Sequence, residues 1–210
     1  MHRLSQGIPP VKLDKIKTKF HNDYELFLKQ DKHEHDLLCE SLYENQGHYC
    51  AYCETVIHSV TNGHLEHLER RRDNPKRSFD WTNMFFSCCH EDSCGKFKDD
   101  SKPNIVFNIG DIIDPHTEDP QDFFAYDMQG HIFPKSGLPD SEKRRAEETI
   151  RVFNLNSSVR LVNIRRNAAI SACPMLQDVT TEEEIDVFLS VLSGQDCISV
   201  YYALLNRRMP

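Results

Sequence analysis

The sequence predicts an α+β fold, in which a small hairpin-and-helix unit over residues 48–100 is clamped by metal and flanked by mainly helical regions over 1–47 and 101–210. Five of the eight cysteines fall inside that unit. Helical spacing of apolar residues stops where the unit begins, and short apolar runs with glycines replace it. Beyond it, charged segments with helix-start residues return.

Over Lys12 to Leu42 the apolar residues Leu13, Ile16, Phe20, Tyr24, Phe27, Leu28, Leu37, Leu38 and Leu42 recur at close to helical spacing, predicting two or more helices. His33, Glu34, His35 and Asp36 are consecutive, so on a helix they diverge and read as a solvated face. After the unit, Pro103, Pro115, Pro120, Pro134 and Pro139 break regular structure. Strands or irregular wrapping are expected there, at Ile105 to Ile109 and Phe123 to Tyr126. Ser141 is expected to cap a helix beginning SEKRRAEETIRVFNL, and Thr181 a second one with acidic first-turn residues. No internal repeat or low-complexity tract is present.

A chain of 210 residues buries enough apolar surface to fold without disulfides. No stretch approaches the ~20 apolar residues of a membrane span, and the first residues lack the apolar run of a secretory signal. A cytoplasmic setting is expected, where closely paired cysteines favour metal over disulfides. The net charge of −8 argues against nonspecific coating of nucleic acid, which draws on many Lys and Arg contacts to phosphate. The basic residues are instead concentrated at Arg70, Arg71, Arg72, Lys76 and Arg77. Arg70, Arg71 and Arg72 are candidates for phosphate contact, a plain solvated loop being the alternative.

Cys50-Ala51-Tyr52-Cys53 is a knuckle whose spacing lets two thiolates face one ion. Ser87-Cys88-Cys89-His90-Glu91-Asp92-Ser93-Cys94 supplies the second pair. Cys88 and Cys94 are preferred, because adjacent cysteines rarely both reach one ion and Gly95 permits a tight turn after Cys94. A redox pair is the competing reading, but no thioredoxin-like strand and helix surround the knuckle. Cys39, Cys173 and Cys197 stand alone and read as small buried hydrophobes.

Between the pairs lie His64-Leu65-Glu66-His67 and Trp81-Thr82-Asn83. In a strand, His64 and Glu66 share one face and His67 takes the other. Phosphodiester hydrolysis needs an activated water and neutralisation of developing charge. His67 is the candidate base, and Glu66 and Asn83 are candidate oxygen ligands for Mg²⁺ or Mn²⁺. His64 and Lys98 are auxiliary candidates for phosphate contact or structural support, and His90 for a further metal ligand. Trp81, Phe85 and Phe86 are expected in a small core.

The order Cys50-x-x-Cys53, Glu66-His67, Trp81-x-Asn83, Cys88…Cys94-Gly95-x-x-Lys98 resembles the HNH endonuclease family. The blocks NQGHYCAYCE, HLEH, FDWTNMFFSC and CGKFKDD are most similar to HNH nucleases encoded with retrons and in Septu defence systems. There the nuclease subunit (PtuB) partners an ABC-type ATPase (PtuA). The resemblance implies an HNH ββα-metal motif with His67 as general base, Glu66 and Asn83 on a catalytic Mg²⁺ or Mn²⁺, and structural Zn²⁺ on Cys50, Cys53, Cys88 and Cys94. It implies a nucleic-acid substrate, an ABC-type ATPase partner of the PtuA kind and a retron RT–ncRNA/msDNA complex. The chain departs from the pattern at Gly95, where many members have His or Asn, and at Arg70, where many have proline.

Two other readings stay open from the sequence. One keeps the nuclease but gives it RNA, such as a tRNA, as substrate. The other is a zinc-stabilised binding module without chemistry, in which Glu66, His67 and Asn83 are merely polar.

Overall fold

The computed structural model describes residues 1–100, 104–178, 181–192 and 194–204, without the side chains of 173–178, 182, 186, 189 and 191. Three helices lead: α1 (Leu13–Lys19), α2 (Tyr24–Gln30) and α3 (Lys32–Asn45). His21 and Asn22 turn the chain between the first two with positive φ, and Asp23 caps α2 by accepting from the Leu26 N–H at 2.9 Å. The helices bury Leu13, Ile16, Tyr24, Phe27, Leu38 and Leu42, residues of the predicted apolar pattern.

Strand β1 (Gly63–His67) pairs antiparallel with β2 (Met84–Cys88), setting His64 opposite Ser87, Glu66 opposite Phe85 and His67 opposite Met84. Helix α4 (Cys94–Asp99) follows and packs on β2, which also contacts α3. Covered from both sides, every residue of β2 is buried, which explains why its apolar residues Met84, Phe85 and Phe86 run together instead of alternating with polar ones. Trp81, Phe85 and Phe86 are all buried, as expected.

A second two-stranded sheet, β3 (Phe124–Tyr126) with β4 (Ile132–Pro134), precedes α5 (Asp140–Val152), α6 (Val159–Asp178), α7 (Glu182–Val191) and α8 (Ile198–Leu204). Ile105 to Ile109 forms no strand. Its carbonyls go to guanidinium groups instead of a ladder, that of Ile105 to Arg70 at 2.6 Å and that of Val106 to Arg151 at 2.8 Å. Ser141 is not the cap of α5, which starts one residue earlier after Pro139. Thr181 and Glu184 do form a reciprocal capping box at the start of α7.

One core of buried apolar residues runs from Met1 to Leu161 and joins the N-terminal helices, the β1–β2 hairpin and α5. A second, around Ala169, Ala172, Cys197 and Tyr201, lies where α6 meets α8. Cys39 and Cys197 are buried thiols, whereas the side chain of Cys173 lies outside the described residues.

Candidate metal and catalytic centre

The knuckle, the end of β2 and the start of α4 bring four sulfurs together. Sγ atoms of Cys50, Cys53, Cys88 and Cys94 all lie within 4.8 Å of one another, with Cys53 and Cys88 3.9 Å apart, and all four residues are buried. A tetrahedral zinc site with Zn–S bonds of about 2.3 Å needs sulfurs about 3.8 Å apart, so the cluster fits the ion. Its surroundings fit too. Burial pushes the Cys94 thiol well above its usual range, while hydrogen bonds from the neighbouring cysteines hold Cys50 well below its own against the opposing effect of burial, and a bound cation would favour the thiolate form. Hydroxyl groups of Thr55 and Ser87 face Cys53 and Cys50. Cys89 is exposed, beside His64 at 3.8 Å and apart from the cluster.

Backbone geometry at the fourth ligand differs from the expected tight turn at Gly95. Cys94 itself adopts φ 60°, and its N–H donates to the Phe153 carbonyl at 2.9 Å. Such strain in a non-glycine residue persists only where its surroundings enforce it. Gly95 is instead required by close approach, since a Cβ there would overlap Cγ of Glu66.

Glu66 is sealed between β1, the knuckle and α4. One carboxylate oxygen lies 2.7 Å from the Lys98 ammonium, and the other accepts from the Tyr52 hydroxyl. Burial raises its pKa against the opposing pull of Lys98. Lys98 is fully buried and also donates to the His67 carbonyl at 2.9 Å and to Asp99 at 2.6 Å. An ammonium so enclosed is not available to a phosphate, so of the two expectations for Lys98 the structural one fits its surroundings and phosphate contact does not.

His67 points to the other face of β1, as strand alternation predicts. Its Nε2 lies 3.0 Å from the Ser78 carbonyl. Because a carbonyl only accepts, Nε2 carries the proton and Nδ1 is the basic nitrogen. Tyr24 of α2 meets the ring edge-on at 4.9 Å, and His67 is 4 % exposed. Burial lowers its pKa to about 3, so the ring is neutral at pH 7.

Asn83 is not brought to Glu66. Its Oδ1 accepts from the Glu69 N–H at 2.8 Å, while its Nδ2 donates to the carbonyls of Glu69 at 2.9 Å and Arg77 at 3.3 Å. With both ends of the amide engaged, it braces residues 69–83. The side chains of Glu66 and Asn83 therefore do not fit a shared Mg²⁺ or Mn²⁺ as they stand.

Of the three arginines, Arg70 is buried. It binds the carbonyls of Ile105 and Lys98 and reaches Asp99 at 3.2 Å, so it is a strut and not a phosphate contact. Arg71 stacks over Tyr24, 4.5 Å from the ring centre, and pairs with Glu25 at 2.7 Å. Arg72 is exposed beside Asp73. His90 lies exposed between β2 and α4, away from the sealed Glu66. His64 is half-buried, and burial lowers its pKa to about 4.

Sequence reasoning passed over Tyr52, Ser78 and Tyr24. Tyr52 sits inside the knuckle, a signal that was available. Ser78 acts through its backbone and Tyr24 comes from a distant helix, so neither carried one.

The chain is 31% identical over 124 residues to a protein of Vibrio cholerae serotype O1 biovar El Tor described as "Retron Vc95 putative HNH endonuclease". The match covers 56% of this chain and 56% of that protein, so the chain spans just over half the length of the curated relative. No family model matches. This relative supports the HNH endonuclease family, retron-associated, as the family that the chain resembles.

Proposed function

We propose that this chain is an HNH-type nuclease that hydrolyses phosphodiester bonds of nucleic acid, DNA in the first instance, with His67 as general base. The observation that carries the reading is the hydrogen bond from Nε2 of His67 to the Ser78 carbonyl, on a hairpin anchored beside a four-cysteine cluster. That bond fixes the tautomer and aim of the imidazole, as a general base requires. The ββα order of β1, β2 and α4 and the relative's description support it.

Zinc on Cys50, Cys53, Cys88 and Cys94 holds the knuckle, β2 and α4 in register and takes no part in bond breaking. In the chemical step, Nδ1 of His67 takes a proton from water as the oxygen attacks phosphorus and the bond to the leaving oxygen breaks. Arg71, next to Tyr24, is the cation best placed to meet the phosphate charge. A surface cleft of about 940 Å³ adjoins Phe79, immediately after Ser78, and is lined by Lys12, Lys15, Lys17 and Lys76 against Asp14 and Asp80. It offers the backbone of a nucleic acid a basic approach. Since Tyr24 covers His67, access requires α2 to yield. That suits a nuclease switched on by partners: an ABC-type ATPase of the PtuA kind and a retron RT–ncRNA/msDNA complex, in the cytoplasm.

The test is cleavage of plasmid DNA and of total tRNA by wild type and His67→Ala, with and without the candidate ATPase. The expected result is loss of about 10²–10⁴-fold in rate with zinc content and the folded state retained, at a lower melting temperature because a buried ring is removed. Equal cleavage by both proteins would reject the reading, and cleavage of tRNA alone would move the substrate to RNA.

A further inference from the structure

We infer that the Lys98 ammonium is the resident cation of Glu66, and that it occupies the place beside this carboxylate that a divalent ion would need. The inference stands on side-chain geometry and does not depend on the nuclease reading.

The Lys98 ammonium lies 2.7 Å from one Glu66 oxygen as an ion pair, and it donates to Asp99 at 2.6 Å and to the His67 carbonyl at 2.9 Å. Both Lys98 and Glu66 side chains are sealed from solvent. The other Glu66 oxygen is taken by Tyr52, and the one beside Lys98 makes no hydrogen bond, its charge being met by the buried ammonium alone. Charge is balanced locally as well. Lys98 and Arg70 oppose Glu66 and Asp99, with Arg70 3.2 Å from Asp99. A divalent ion placed against Glu66 would meet the buried ammonium as a like charge, and it would have to replace its hydration shell with protein oxygens.

The start of α4 offers no substitute ligand. Gly95 lies against Glu66 so closely that any side chain at that position would collide with it. Asn83 is committed to Glu69 and Arg77. The cation here is thus covalently tethered, one turn after the last zinc ligand. It binds Glu66 and the His67 carbonyl at once, which makes Lys98 a positioning residue for the strand that carries His67.

Mn²⁺ binding to the full zinc-loaded chain tests this, read by electron paramagnetic resonance and calorimetry. Wild type should take up no Mn²⁺ through Glu66 even at millimolar ion. Lys98→Met should gain one Mn²⁺ per chain, and Glu66→Gln/Lys98→Met should lose it again. One Mn²⁺ bound by wild type and abolished in Glu66→Gln would overturn the inference, as would a folded Lys98→Met that binds none. Should Lys98→Met fail to fold, wild type against Glu66→Gln decides alone. Mn²⁺ retained equally by both, or bound by neither, leaves Lys98 as the cation of Glu66. Failure of the nuclease reading would register separately, in cleavage by His67→Ala.

Discussion

Asn83 grips the main chain of Glu69 from both sides, accepting from its N–H at 2.8 Å and donating to its carbonyl at 2.9 Å. A side-chain amide matched to a peptide in this way closes the loop between β1 and β2. The same loop carries Ser78, whose carbonyl aims His67.

Replacing Asn83 with Ala should therefore act on stability before it acts on chemistry. Loss of the amide leaves partly buried main-chain groups of Glu69 and Arg77 unpaired, at about 1–3 kcal/mol each at most. A drop of about 2–4 kcal/mol in chemical denaturation is expected, with zinc content unchanged. Asn83→Asp should be no better, since it keeps the acceptor but sets a carboxylate oxygen against two carbonyls.

Cysteine roles can be separated by metal analysis. Cys88→Ser should lose stoichiometric zinc and unfold the hairpin, whereas Cys89→Ser should keep both. Cobalt substituted for zinc should give the visible absorption of a tetrahedral thiolate site in wild type and Cys89→Ser, but not in Cys88→Ser.

Gly95→Ala tests close approach in place of backbone freedom. The added methyl group overlaps Cγ of Glu66, so overpacking should cost about 1–3 kcal/mol, measured as a fall in the denaturation midpoint. A neutral effect would mean that α4 can slide away from β1.

For His67 the sign of the pH dependence follows from a folded pKa near 3, below the usual histidine value of about 6.5. The unfolded chain binds the proton first. Stability from this group is full above about 6.5 and falls as pH drops toward 3. Between pH 7 and pH 5 the loss is about 2 kcal/mol. A metal held by the four cysteines would be lost in the same direction, so the quantity to measure is the difference in slope between wild type and His67→Gln. The variant should be the less pH-sensitive of the two.

Much of the centre was legible in the sequence for local reasons. Ligand spacing at Cys50 and Cys53, and the second pair at Cys88 and Cys94, needed no knowledge of the fold. Strand alternation alone put Glu66 and His67 on opposite faces. Partner choice was not legible. Lys98 was left between phosphate contact and structural support, because nothing in CGKFKDD says that α4 lies with this side chain against β1. Arg70 read as part of a basic run, although it folds inward while Arg71 and Arg72 do not. Asn83 read as a ligand because an amide carries an oxygen whether or not a backbone claims it. Of strand and irregular wrapping at Ile105 to Ile109, the second is found for a related reason: carbonyls of that run are taken by Arg70 and Arg151.

The cysteine knuckle turns at Glu54, a non-glycine residue at φ 58°, and beside its own bonds and the Met1 amine and His2 on the Glu54 carboxylate, part of what holds that turn comes from far along the chain. The Cys197 N–H donates to the Glu54 carbonyl at 2.9 Å, the Ser199 hydroxyl donates to its carboxylate, and Asp196 accepts from the neighbouring Val56 N–H at 2.6 Å. Two of the four sulfurs are thus presented by a turn whose fastenings emerge from the ribosome about 140 residues later. A nascent chain that has made every cysteine of the cluster has the knuckle's own bonds, between Cys50 and Thr55 and between Glu54 and Cys50, but not these later ones. The fastenings from Asp196, Cys197 and Ser199 form only after synthesis has passed residue 199.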